Sequence, residues 1–111
     1  MEVIKLIYAY IRVSTKQQNI DRQYVEIKEF GVDDKFIYVD KESGKDFDRT
    51  NYKKLIKKLK KDDLLIVKSI DRLGRNYHMI LEEWAHITKT IGADIKVLDM
   101  PLLDTRIEGK N

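Results

Sequence analysis

Cysteine is absent from the 111 residues of this chain, and proline occurs only once. Without cysteine there is no disulfide framework, no thiol nucleophile and no thiolate ligand for zinc or an iron–sulfur cluster. One proline and five glycines exclude collagen-like and low-complexity classes. The longest apolar runs are too short to span a membrane, and no secretory signal is recognisable at the N-terminus. We therefore expect a single soluble domain of a reducing compartment, with no membrane as partner.

Net charge is also small, at +3, but it is distributed unevenly. Residues 45–75 carry eleven Lys/Arg against five Asp/Glu, a local charge of +6, so the remaining residues sum to −3. This asymmetry suggests that the middle of the chain binds a polyanionic partner. The lysines alone are better explained by one solvated face of an amphipathic helix, although composition leaves both interpretations open.

The apolar pattern predicts strands that alternate with helices. The predicted strands cover residues 6–13, 36–39, 64–67 and 95–98. The first predicted helix begins after the possible N-caps Ser14 and Thr15 and ends at Gly31. The second and third predicted helices cover residues 52–59 and 77–91. Residues 40–50 are predicted to form a mobile loop, and the chain from Met100 onward a loop and a polar tail. This order predicts an α/β fold: a mostly parallel sheet of about four to five strands with helices on both faces.

Ligands of open parallel sheets bind beyond the carboxyl ends of the strands. The first predicted strand ends in Arg12 and Ser14, and the third is followed by Arg72 and Arg75. A helix that begins beside Ser14 would add free N–H groups that favour anions. The sequence therefore predicts a phosphate site at this edge of the sheet.

Ser14 is the candidate nucleophile, although a lone serine at such a position is more often only a helix N-cap. Arg12 lies two residues upstream, on the same side of a strand, where a guanidinium can stabilise a phosphoryl transition state. Arg72 and Arg75 are three residues apart and would project from one face of a helical turn. Asp71 would either orient an arginine or cap the following helix.

Other polar residues have two interpretations each. Arg49, in the predicted loop, either swings in when a ligand arrives or is a plain loop charge. Gln18 and Gln23 either donate to a phosphate or are solvated helix residues, and Tyr10 is predicted to be half-buried strand packing. The two histidines have no nearby ligand partners, and the acidic residues form no magnesium cluster. We expect no metal and no cofactor.

Three blocks of sequence, taken together, resemble the serine recombinases, the resolvase/invertase family. The resemblance covers about residues 6–105, with order and spacing in agreement. RVST alone would be a weak signal, whereas three blocks in register are specific. The blocks are YIRVST at residues 10–15 with Gln17, Gln18 and Gln23; DKESG at residues 40–44 with Asp48 and Arg49; and KSIDRLGR at residues 68–75.

The resemblance implies a mechanism. Ser14 would attack a DNA phosphodiester, form a 5′-phosphoserine link and release a 3′-hydroxyl, so that strand exchange and religation need no ATP. It also implies that Asp71 holds Arg72, while the identity of the general acid stays open. The implied catalytic residues are Arg12, Ser14, Arg49, Asp71, Arg72 and Arg75, and the implied DNA-phosphate-binding or supporting residues are Tyr10, Gln18, Gln23 and Lys68.

The resemblance further implies a catalytic domain of residues 1–105 and a polar tail, residues 106–111, where a dimerisation helix and a DNA-binding region would begin. Members of the family act as homodimers that pair into tetramers on two sites in cytoplasmic, nucleoid DNA, in the context of a transposon or other mobile element. Three alternatives stay open: a flavodoxin-like nucleotide-binding module, a phosphoacceptor receiver domain, and a degenerate recombinase that serves as a structural partner. The first lacks a glycine-rich phosphate loop and the second lacks paired acids.

Overall fold

A computed structural model describes residues 5–14, 20–42 and 49–108 of the chain. Within these ranges, strands and helices alternate along the chain. The strands are β1 (Ile7–Ser14), β2 (Ile37–Glu42), β3 (Leu64–Val67) and β4 (Asp94–Val97). The helices are α1 (Ile20–Phe30), α2 (Thr50–Lys58), α3 (Tyr77–Ala85) and α4 (Thr105–Glu108), and short 3₁₀ turns cover Asp34–Phe36 and Ile70–Leu73.

The described strands form a four-stranded sheet in the order β2-β1-β3-β4, and each neighbouring pair is parallel. The chain steps outward from β1 to β2, returns across β1 to β3, and then continues outward to β4. The sheet therefore has a switch point between β1 and β3, where ligands bind in doubly wound folds. The predicted α/β fold with a parallel sheet is confirmed.

The sheet is buried on both faces, which explains why β1 reads as a nearly continuous apolar run. Tyr8 and Tyr10 point to the face covered by α2 and α3, where they pack with Leu55. Ala9 and Ile11 point to the opposite face, which α1 covers. Helices on both faces of the sheet were predicted, and the two separate core clusters confirm them.

The predicted loop over residues 40–50 is wrong at both of its ends. β2 runs three residues beyond its predicted end, because its backbone ladder with β1 continues through Arg12–Asp40 to Ser14–Glu42. The side chains of this extension are polar, so the apolar pattern did not predict a strand there. The strand is held by backbone hydrogen bonds, which do not depend on side-chain polarity. α2 begins at Thr50, two residues earlier than predicted. Residues 43–48 lie outside the described part of the chain.

The third helix extends as predicted but changes its geometry. After Ala85 it continues over His86–Ile91 with wider π-helical turns, and it ends at Gly92, whose φ of +87° suits glycine. The described part of α1 begins at Ile20. The residues between it and Ser14, including the predicted cap Thr15, are not described. None of the described helices combines the length and the apolar composition needed to cross a membrane.

Residues 104–108 form regular structure where the sequence predicted a loop and a polar tail. Asp104 pairs with Lys96 in an antiparallel bridge, and α4 follows it directly. Thr105 Oγ1 donates to Asp94 and accepts the backbone N–H of Ile95, each at 2.8 Å. These hydrogen bonds attach the start of α4 to β4, an interaction between distant residues that local polarity does not reveal.

Candidate functional site

The carboxyl edge of β1 carries Arg12 and Ser14, as predicted. Arg12 is buried and lies opposite Asp40 of β2, on the face of the sheet where Tyr10 also lies. The backbone of Ser14 ends β1 opposite Glu42. The position of the predicted nucleophile is therefore at the edge of the sheet where parallel α/β folds bind their ligands.

Asp40 joins three elements beneath this edge. Its carboxylate accepts a hydrogen bond from Tyr10 Oη at 2.9 Å. It also accepts the backbone N–H groups of Asn51 at 3.0 Å and Tyr52 at 2.9 Å, so a residue of β2 caps the N-terminus of α2. Asp40 is only 6% exposed. Sequence reasoning did not select it as a site residue, although an acid at the end of a strand was the available signal.

Tyr10 is fully buried, so its prediction as half-buried strand packing is wrong. Burial raises the pKa of the Tyr10 phenol, and its hydrogen bond to Asp40 raises it further. The phenol therefore stays protonated at neutral pH and acts as a donor. Its ring packs edge-on against Tyr52 with the centroids 4.9 Å apart, which aligns β1 with α2.

Arg49 lies immediately before α2 and is 5% exposed, so it is a packed side chain, and its interpretation as a plain loop charge is wrong. Its Nη1 donates to the backbone oxygens of Leu73 at 2.6 Å and Arg72 at 3.3 Å. Its Cζ lies 3.7 Å from the centroid of the Tyr52 ring, and its Nη2 lies 3.9 Å from Glu83 Oε1. Arg49 thus ties the start of α2 to the turn after β3 and to α3.

The 3₁₀ turn after β3 carries Asp71 and Arg72. Arg72 Nη1 lies 3.4 Å from Asp71 Oδ1, so the carboxylate lies beside the guanidinium. This placement agrees with the interpretation that Asp71 orients an arginine. The other interpretation is wrong, because Asn76 caps α3 by accepting the N–H of Met79 at 2.8 Å. Arg72 Nε is buried without a hydrogen-bond partner among the described residues.

Arg72 and Arg75 do not project from one helical face, which corrects the prediction from their spacing. The 3₁₀ turn ends at Leu73, and Gly74 has extended backbone. A Cβ on Gly74 would lie 2.6 Å from Met79 Cγ, so glycine permits the turn to approach α3 closely. Arg75 is exposed beyond this point. The structure therefore brings Arg49 to the Arg72 backbone but places Arg75 on a separate stretch of chain.

Gln23 of α1 is buried, so the interpretation as a solvated helix residue is wrong. Its Oε1 has no hydrogen-bond partner among the described residues, a property that it shares there with Arg72 Nε. Buried polar atoms are normally paired. Buried atoms without a partner are therefore expected where a site binds a further polar group. Gln18 lies outside the described residues.

Lys68 follows β3 and is held by two carboxylates. Its Nζ lies 2.8 Å from Glu26 of α1 and 3.2 Å from Asp99, which follows β4. The hydrogen bond to Glu26 is the main cause that raises the pKa of Lys68, and Asp99 adds to it. The described residues contain no group of three or more acidic or histidine side chains placed to hold a metal ion.

The fold and this edge define a parallel α/β domain whose first strand ends in arginine and serine, with further arginines on the adjoining turns. The profile of the family described as "Resolvase, N terminal domain" matches residues 7–110. The chain belongs to this family.

Curated relatives and a solved structure agree with this assignment. The chain is 43% identical over 70 residues to the transposon Tn3 resolvase of Escherichia coli, covering 63% of this chain and 38% of that protein. It is 34% identical over 100 residues to a resolvase of Clostridium perfringens, covering 90% of this chain and 52% of that protein. The crystal structure of the N-terminal catalytic domain of TP901-1 integrase matches with a TM-score of 0.75 and 26% identity, over 96% of this chain and 86% of that one. The chain thus spans about half or less of the length of these two curated relatives.

Proposed function

We propose that the chain is the catalytic domain of a serine-type site-specific DNA recombinase. The observation that carries the proposal is the carboxyl edge of β1, where Ser14 follows the buried Arg12 in a chain of the resolvase family. The names of its relatives include resolvases, a site-specific recombinase and DNA-invertases, which supports the same reaction class.

The proposed reaction is a transesterification. Ser14 Oγ loses its proton and attacks phosphorus, the bond to the 3′ oxygen breaks, and that oxygen leaves as a hydroxyl after taking up a proton. The product is a 5′-phosphoserine ester, which the 3′-hydroxyl of an exchanged strand attacks to restore the DNA and the serine. One phosphoester bond replaces another at each step, so religation needs no external energy source and no cofactor.

The arginines would stabilise the charge that develops on the phosphoryl oxygens. Arg12 is closest to Ser14 along the strand, and Arg72 has a buried Nε without a partner among the described residues, beside the orienting carboxylate of Asp71. Arg49 is proposed to complete the pocket by fixing the turn that carries Arg72. Arg75 is proposed as a further catalytic arginine, and contacts to phosphate are proposed for Gln18, Gln23 and Lys68. Tyr10 is proposed to support the site from below, through its hydrogen bond to Asp40.

The proposal includes the assembly that the family resemblance implies. Homodimers would pair into tetramers on two sites in cytoplasmic, nucleoid DNA, so that four strands are cut and exchanged together. In this arrangement residues 1–105 are the catalytic unit, and a dimerisation helix would begin in residues 106–111. The short helix α4 supports this last point, because the chain there already turns helical.

Covalent trapping on genomic DNA tests the proposal and does not require a defined recombination site. Because the chain matches only 38% and 52% of the length of two curated relatives, the isolated domain is not expected to cleave, and the test uses the full-length protein that contains it. This protein is incubated with sheared DNA of the genome that carries its gene, denatured with detergent, and assayed for DNA 5′ ends joined to protein. We expect adducts with the wild type and with Thr15→Ala, which removes the neighbouring hydroxyl, but none with Ser14→Ala. An adduct that persists in Ser14→Ala contradicts the assignment of the nucleophile.

A further inference from the structure

Glu83 of α3 belongs to none of the three sequence blocks that indicate the site, yet it reaches toward α2. Its Oε1 accepts a hydrogen bond from Tyr52 Oη at 2.6 Å and lies 3.9 Å from Arg49 Nη2. We propose that Glu83 is a positioning residue that holds the Arg49 guanidinium at the candidate site. The effect of this positioning on catalysis rests on the function proposed above.

The orientation of Glu83 distinguishes it from its neighbour on the same helix. Glu82 is exposed and contacts His78 one turn away, which is ordinary for the solvated side of a helix. The Glu83 side chain is 28% exposed and contacts a phenol and a guanidinium of another element. A partly desolvated carboxylate with two such partners restrains both of them.

Tyr52 transmits the same restraint. Burial raises the pKa of its phenol and the hydrogen bond to Glu83 raises it further, so Tyr52 remains a donor at neutral pH. The guanidinium of Arg49 lies over the Tyr52 ring at 3.7 Å. Glu83 therefore acts on Arg49 twice, through its own charge and by fixing the ring on which the guanidinium rests.

Arg49 is packed, but one side of it borders a cleft. A cleft of about 520 Å³ opens between α2 and α3, and its lining includes Arg49, Tyr52, Met79 and Glu83. The cleft gives the guanidinium space into which it can rotate once the Glu83 carboxylate is neutralised. Such a rotation would lengthen the hydrogen bond to the backbone oxygen of Leu73, 2.6 Å at present, and release the turn after β3.

The first test needs no DNA and uses the 111-residue chain. The NMR signal of the Arg49 Nε–H group is assigned by its loss in Arg49→Lys, and we expect the ring current of Tyr52, 3.7 Å from the guanidinium carbon, to displace it. In Glu83→Gln, which keeps the size of the side chain, we expect this signal to move toward the position of a free arginine. Glu82→Gln is the matched control and should leave it in place. An unchanged Arg49 signal in Glu83→Gln overturns the proposal.

The second test measures the rate at which the full-length protein forms the Ser14–DNA adduct. We expect Glu83→Gln to lower this rate by up to about 100-fold, the loss that misplacement of a group by about 1 Å can cause. In an Arg49→Ala background the same substitution should cause no further loss, because Glu83 acts through Arg49. An equal loss in both backgrounds overturns the proposal. If the wild type forms no adduct, the proposed function fails, and the NMR result by itself decides whether Glu83 holds Arg49.

Discussion

Two buried aspartates, Asp40 at the site and Asp104 before α4, differ in the partners that satisfy their carboxylates. Asp40 is 6% exposed and is satisfied by neutral donors, the Tyr10 phenol and the first N–H groups of α2. Asp104 is 1% exposed and is satisfied by cations, with Arg106 at 2.6 Å and Lys96 at 3.6 Å. The same side chain organises a functional edge in one place and fastens the C-terminal segment in the other.

The partners also differ in what they can do once the carboxylate is removed. The donors around Asp40 are fixed in the backbone of α2 and in a buried ring, which limits their freedom to turn toward water. Arg106 is 43% exposed, so its charge can be hydrated after the loss of Asp104. Because an unsatisfied buried donor costs more than a hydrated surface charge, removal of Asp40 should destabilise the fold more.

The largest effect is therefore expected for Asp40→Ala. It leaves Tyr10 Oη and two backbone N–H groups without their acceptor, and we expect the free energy of unfolding to fall by about 3 kcal/mol, since each unpaired buried donor costs about 1–3 kcal/mol. Urea denaturation measures this loss. Tyr10→Phe removes one of the three hydrogen bonds and should cost about 1 kcal/mol. Equal losses in the two variants would contradict the role of Asp40 as a shared acceptor.

Gly74→Ala tests the site region without touching Asp40. The new methyl group would lie 2.6 Å from Met79 Cγ and 2.9 Å from the backbone nitrogen of Ile80, so the turn must move away from α3. We expect a loss of about 2 kcal/mol in unfolding free energy, within the range for overpacked sites. Thermal unfolding measures it. Gly31→Ala has no atom within 4 Å of the new methyl group, so only its φ of +111° opposes the change. An alanine at position 74 that leaves stability unchanged would show that the turn is not closely packed.

The smallest effect is expected for Asp104→Asn, and it depends on pH. Hydrogen bonding to Arg106 lowers the pKa of Asp104 in the folded state, opposed in part by desolvation. The stabilisation is therefore present above the unfolded pKa of about 3.9 and is lost as pH falls through the lower folded pKa. We expect Asp104→Asn to cost about 1 kcal/mol at pH 7 and to converge with the wild type in strong acid, as measured by thermal unfolding from pH 7 to pH 2. A pH-independent difference would contradict the ionic contribution.

The apolar pattern predicted the core elements of the fold well. The bounds predicted for β3 match the structure, because four apolar residues between acidic and basic neighbours can be satisfied only as a buried strand. The stripe of Tyr52, Leu55 and Leu59 correctly predicted α2, and Gly92 correctly marked the end of the third helix. The predictions failed where polar residues lie in regular structure, as in the last three residues of β2.

The candidate site was predictable as a set of residue types but not as an arrangement. Its blocks of sequence named Arg12, Ser14 and Arg72, and the structure places all three positions at the carboxyl ends of β1 and β3 or just beyond them. Spacing suggested a shared face for Arg72 and Arg75, which the extended Gly74 removes. Their assigned roles in DNA cleavage stay predictions, and Ser14→Ala is the variant that tests them most directly.

Sequence alone determined the order of the elements, the two-sided burial of the sheet and the edge at which arginine and serine meet. These follow from local periodicity and from the rule that parallel strands end together. Only the tertiary structure decided that Arg49 is buried, that Asp40 of β2 caps the N-terminus of α2, and that Glu83 faces Tyr52. Each of these depends on a hydrogen bond or charge contact between residues 11 to 34 positions apart, whose geometry exists only once the helices are docked on the sheet.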